Sequence, residues 1–149
     1  MLVALQAVDG PRPLSIPNES ESLPARVKRC FGALDGLDAD AVASFFGVAA
    51  TVRLPGLPPI SGRAAIRRVL VQFSLDVDDL RHAPVQLWTA GDLSVFEADI
   101  TLTLAHGAVL TFPVTYTIRW VHGLIEDARV NVYLESRMAV AISAFNRLP

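Results

Sequence analysis

From residue 83 onward the apolar side chains recur at every second position, where before they recur every third or fourth. A helix returns to one face every 3.6 residues and a strand every two, so this change of period is a change of element. Four strands are predicted, over about 83–89, 93–104, 108–120 and 124–134, separated by Gly91-Asp92, His106-Gly107 and His122-Gly123. Helices that precede an antiparallel meander place the chain in the α+β class.

Upstream, Ser22 is placed to cap a first helix, with Pro24 in its first turn, where a missing N–H costs nothing. Val27, Cys30, Phe31 and Leu34 form its buried stripe, and Gly36 ends it. Asp38 caps a short second helix whose apolar side includes Val42, Phe45 and Phe46. A strand over 50–54 stops at the segment PGLPP. Ser61 and Gly62 precede a third helix with Ile66, Leu70 and Phe73 on one face and Arg63, Arg67 and Arg68 towards solvent. A closing helix is expected over 135–147, with Met138, Ile142 and Phe145. Residues 1–20 contain three prolines and little periodicity, so they read as an irregular lead to one domain over 21–149.

The 149 residues are enough for a sizeable core, with 52% hydrophobic and 19% charged side chains. A net charge of −2 and scattered arginines give no footprint for nucleic acid or an anionic membrane. The single cysteine, Cys30, excludes an internal disulfide and a cysteine-based metal site, and on an apolar helical face it reads as packed. The opening MLVALQAVDGPRP is short for a signal segment and has no basic residue ahead of it. No apolar run approaches the length of a membrane span. The expectation is a cytoplasmic bacterial protein. No phosphate-binding glycine loop, zinc motif or nucleophile elbow occurs, so no cofactor or metal is expected.

Strand 93–104 alternates Phe96, Ala98, Ile100 and Leu102 with Glu97, Asp99, Thr101 and Thr103. The simplest reading turns the apolar side inward and the carboxylates to water. A two-residue turn at His106-Gly107 changes that reading. It sets Glu97 opposite Tyr116, Asp99 opposite Val114 and Thr101 opposite Phe112, so the polar row continues as an apolar wall that needs a cover. A slip of one residue reverses the assignment. Pro113, which cannot donate to a ladder, points to a bulge.

The order of three helices and a curved antiparallel sheet, with PGLPPISGRAAI at the strand-to-helix joint and GLIEDARVNVYLES as the last strand, resembles the nuclear-transport-factor-like cone. Within it the chain is similar to the SnoaL-like polyketide cyclase, ketosteroid isomerase and limonene epoxide hydrolase group, over roughly residues 22–145. The resemblance implies helices packed in the concave face of a curved, mostly antiparallel sheet, closing an apolar small-molecule pocket. It implies that Glu97, Asp99, Thr101, Val114, Tyr116 and Ile118 face the pocket. It also implies a homodimer through an outer face carrying Phe96, Ala98, Ile100 and Leu102.

By the same resemblance the general-acid Asp of the epoxide hydrolases falls on Asp99, and the oxyanion-hole Asp of the isomerases on Tyr116. Other family positions carry different residues here: Glu97, Val130, Leu54 and Cys30. The expected catalytic set is Asp99, Glu97 and Tyr116, with Arg53, Thr101, Phe112, Val114, Ile118, Trp120 and Val130 binding an apolar ligand. Two carboxylates about 6.5–7 Å apart on one strand repel by roughly 2.4 kcal/mol, enough for one of them to hold a proton near neutrality once shielded.

Each candidate also has a plain structural reading. Glu97 and Asp99 can be solvated, Tyr116 can merely satisfy a carboxylate, and Arg53 can be a surface residue. Trp88 and Trp120 read as core or interface, and His82, His106 and His122 as surface residues. Two functions stay open: a cofactor-free isomerase, cyclase or epoxide-hydrolase-like enzyme, and a non-catalytic ligand-binding or dimerisation domain with an eroded catalytic set.

Overall fold

The computed structural model describes residues 21–133; the irregular lead and the closing helix expected at the two ends lie outside them. The first helix, α1 (Leu23–Asp35), starts where Ser22 accepts a hydrogen bond from the Ala25 amide. Its stripe of Val27, Cys30 and Phe31 is buried, as the 3.6 period requires. Its end is tighter than a plain glycine stop. Asp38 N–H donates to Ala33 and Leu37 N–H to Leu34, with Leu37 itself at φ +53°, a left-handed position that disfavours a branched side chain.

Helix α2 (Ala39–Ala43) is capped by Asp38, which accepts from the Ala41 amide at 3.0 Å. It is shorter than expected. Phe45 lies beyond its end, Phe46 opens strand β1 (Phe46–Arg53), and both rings are buried. A two-residue strand β2 (Ile60–Ser61), not foreseen in the sequence, pairs with β1 and leads into α3 (Arg63–Asp76). Ile66 of α3 is buried, and Leu70 and Phe73 pack against the core.

Strands β3 (Val77–Ala90), β4 (Leu93–Leu104), β5 (Val109–Val121) and β6 (Leu124–Val132) form the antiparallel meander. With β1 running parallel to β6, the curved, open sheet has the order β2-β1-β6-β5-β4-β3. The architecture is α+β, as the change of period required. β3 begins six residues earlier than expected because Asp78, Asp79 and Arg81 interrupt its apolar pattern on an edge strand. His82 is therefore inside a strand rather than at its start.

The β4–β5 register overturns the expected one. Phe96 stands opposite Tyr116, Ala98 opposite Val114 and Ile100 opposite Phe112, one residue away from the expected pairing. The loop has three residues, not two. Ala105 N–H donates to the Asp76 carbonyl at the end of α3, Gly107 N–H closes a turn on Leu104, and Leu104 N–H returns to Ala108. Gly107 adopts φ +94°, which glycine alone takes without strain. The contact with Asp76 draws Ala105 out of the ladder and exchanges the faces of β4 relative to β5.

By contrast His122-Gly123, the separator expected between β5 and β6, makes a two-residue turn with φ +48° and +76°. Pro113 causes no bulge. β6 ends at Val132, opposite Val114, so Pro113 lies just past the paired length of that ladder. The irregularities fall instead at Asp78 and Val85 in β3, at Glu126 in β6 and between Phe46 and Thr51 in β1.

Candidate functional site

The corrected register gives the sheet a consistent inner face. Phe96, Ala98, Ile100 and Leu102 of β4 join Phe112, Val114, Tyr116, Ile118 and Trp120 of β5 in the buried core, with Val130 of β6 packed against it. The four β4 residues expected to form an outer dimer contact are thus 1–7% exposed within a single chain. Trp88 and Leu93 carry the outer-face apolar exposure near them.

Glu97 and Asp99 move to the outer face with the slip. Glu97 stands opposite Thr115 and is half-buried; Asp99 stands opposite Pro113 and is exposed. Neither faces Tyr116 or Val114, so the enclosed carboxylate pair expected beside the pocket wall is not formed. Thr101 is on that outer face as well, with its hydroxyl 3.3 Å from that of Thr111. Arg53 is not at a pocket end: it pairs with Asp127 on the neighbouring strand β6.

Of the expected catalytic set only Tyr116 points into the core, and there it meets two residues the sequence did not bring together. The phenol oxygen of Tyr116 lies 2.6 Å from His82 Nε2, and His82 Nδ1 lies 2.5 Å from Asp35 Oδ1. Asp35 Oδ2 accepts a further bond, 3.1 Å long, from the backbone N–H of His82. A carboxylate only accepts, so Nδ1 carries the ring proton, Nε2 is the acceptor, and the Tyr116 hydroxyl donates to it. His82 is therefore no surface residue; its side chain is 2% exposed, while that of Asp35 is 31% exposed and reaches water.

Burial sets the proton affinities. It lowers the His82 pKa below 6.5, an effect the Asp35 hydrogen bond and charge partly oppose, so the imidazole is neutral near pH 7. Burial, together with the charge of Asp35, raises the Tyr116 pKa, so the phenol keeps its proton. The nearby Cys30 thiol is pushed up to about 12 by burial and stays un-ionised. A neutral base, a proton-bearing phenol and an orienting carboxylate in line form a short proton relay.

Aromatic rings close this relay. The Phe31 ring centroid lies 4.6 Å from those of both Phe96 and Tyr116 and 5.1 Å from that of His82. Phe96 and Tyr116 are nearly parallel, 18° apart in plane at 6.2 Å. An open groove of about 400 Å³ along Ile60, Arg67, Arg68 and Gln72 lies on α3, away from the relay. A second buried polar pair, Trp120 Nε1–H donating to Ser94 Oγ at 3.0 Å, satisfies the indole and leaves Trp120 as core.

One local signal could have found Asp35: it is the last residue of α1, where the helix dipole disfavours a carboxylate.

A family model for the SnoaL-like domain matches residues 27–128. The chain belongs to the SnoaL-like family. No curated protein matches it in sequence. Among solved structures, this SnoaL-like domain is similar to a ketosteroid isomerase-fold protein from Catenulispora acidiphila bound to trimethylamine. That match has a TM-score of 0.71 and 17% identity over 86% of this chain and 100% of the other. A putative polyketide cyclase from Sinorhizobium meliloti matches with a TM-score of 0.61 and 25% identity over 73% and 95%. The epoxide hydrolase/cyclase-like enzyme SalBIII, of pyran-ring formation in salinomycin, matches with a TM-score of 0.65 and 19% identity over 73% and 88%.

Among the described residues of the SnoaL-like domain, no three His, Cys, Asp or Glu side chains gather to hold a metal ion. No helix among them is long and apolar enough to cross a membrane.

Proposed function

We propose that this SnoaL-like domain is a cofactor-free acid–base catalyst of an apolar small molecule, with His82 as base, Tyr116 as proton carrier and Asp35 as positioning residue. The observation that carries the reading is the His82 ring, sealed from water and hydrogen-bonded at both nitrogens. A substrate hydroxyl or enol that donates to Tyr116 Oη passes its proton to that oxygen as the Tyr116 proton moves to His82 Nε2. The substrate becomes an oxyanion, and the imidazolium formed is stabilised by the Asp35 carboxylate. The charge moves to another substrate atom as the bond shifts or the ring closes, and the proton returns from His82 through Tyr116 to that atom, so isomerisation or ring closure needs no external acid or base. The solved relatives described as cyclases support this reaction class.

The test is proton exchange. In deuterium oxide, a panel of enolisable aryl ketones and 1,3-diketones is expected to gain deuterium faster with the protein than in buffer, as read by mass spectrometry. His82→Gln is expected to fall to the buffer rate. Wild-type exchange no faster than buffer, or exchange undiminished in the variant, overturns the reading. One observation favours the rival, a non-catalytic binding or dimerisation domain: the Phe31 ring fills the inner face beside the relay.

A further inference from the structure

Tyr116 gives its proton to His82, and among the described residues that is its one hydrogen-bond partner, so its oxygen keeps an unused acceptor position. The ring beside it, Phe31, has no donor to offer. That ring has one centroid distance, 4.6 Å, to each of the Phe96 and Tyr116 rings and meets His82 at a 60° edge contact. These are the offset and edge contacts by which one aromatic ring binds others. Phe31 sits one turn before Asp35 on α1, so the space its ring fills lies directly against the relay.

We infer that Phe31 is a plug in the ligand slot: a planar aromatic ring bearing a hydroxyl binds where the phenyl ring now lies, and its hydroxyl donates to Tyr116. This deepens the proposed function, on which it rests, by naming the ligand class and the residue that gates it. The plug makes Phe31 a specificity-determining residue, because a ligand must match the ring it displaces and supply the donor that Phe31 lacks.

The experiment is calorimetric binding of phenol and toluene to wild type, Phe31→Ala and Phe31→Ala/Tyr116→Phe. Phe31→Ala is expected to bind phenol at least ten-fold more tightly than wild type. Adding Tyr116→Phe is expected to remove most of that gain while leaving toluene binding unchanged. Phenol binding no tighter than wild type, or indifferent to Tyr116→Phe, overturns the inference. Phe31→Leu, which keeps much of the apolar contact, covers a failure of the alanine variant to fold. It is expected to show the same order with a smaller gain, and no gain overturns the inference equally. The two readings fail separately: absent deuterium exchange with phenol bound in the slot refutes catalysis alone, and absent phenol binding with exchange intact refutes the plug alone.

Discussion

Phe96 and Glu97 are neighbours in β4 and end on opposite faces of the sheet, and each face carries one conspicuous set of polar groups. On the outer face Glu97 and Asp99 stand two apart, half-buried and exposed, where water screens them. On the inner face His82 and Tyr116, from strands on either side of β4, meet within an aromatic cluster and share a hydrogen bond. The outer pair is conspicuous in the sequence and lies towards solvent. The inner pair is 34 residues apart in the chain and directly bonded. The proposed proton chemistry rests on the second arrangement, where burial lowers the His82 pKa and keeps the proton on Tyr116, and a fixed hydrogen bond joins the two.

The largest break in this contrast is expected from Phe96→Ala. Loss of a buried ring that packs on Phe31 is expected to lower unfolding stability by about 3–5 kcal/mol in urea denaturation. Next comes the relay. Tyr116→Phe strands His82 Nε2 without its donor and is expected to cost about 1–3 kcal/mol.

Asp35→Asn sharpens the same point through pH. The folded-state pKa of His82 lies below 6.5. As pH falls below 6.5 the unfolded chain therefore takes up the proton first, and stability drains away until the folded-state pKa is passed. Asp35 is the group that raises this pKa against burial. Asn at position 35 is expected to shift the imidazole titration, followed by nitrogen-15 NMR, further down and to widen the acid-sensitive window. The smallest effects are expected on the outer face: Glu97→Gln and Asp99→Asn should each stay within about 0.5 kcal/mol of wild type in the same denaturation. A change at either comparable with that of Tyr116→Phe would erase the distinction between the faces.

Local rules made much of the fold legible. The caps at Ser22 and Asp38, the limits of β4 and the break between β5 and β6 at His122-Gly123 depend on a few adjacent residues, and each stands where the sequence placed it. The faces of β4 were legible in its own alternation, which turns Phe96, Ala98, Ile100 and Leu102 inward; the hairpin reading reversed them, because the dipeptide His-Gly serves two loops of different length. His106-Gly107 becomes part of a three-residue loop through the hydrogen bond from Ala105 to Asp76, a tertiary contact that no local pattern encodes.

The site was hidden for a related reason. Asp35 is a helix end, His82 lies in a strand that its charged neighbours disguise, and only Tyr116 sat on a wall the alternation could reveal. Phe112, Val114, Ile118 and Trp120 were placed on the inner face correctly because β5 alternates cleanly, and Val130 packs against that face from β6.

The end of α1 also shows where the chain is locally frustrated. A carboxylate at position 35 opposes the helix dipole, which disfavours it by about 0.3–1 kcal/mol. Leu37 in the left-handed region adds about 1–2 kcal/mol of backbone strain. Taken alone, the segment 22–37 would form a better helix with a neutral residue at 35 and glycine at 37. Inside the protein the same two misfits are held by the backbone and ring of His82 and by the packing of Leu37 against the core. Substitutions chosen to improve this helix on its own merits would therefore unfasten it from β3, and selection for stability and selection for a positioned imidazole pull on these residues in opposite directions.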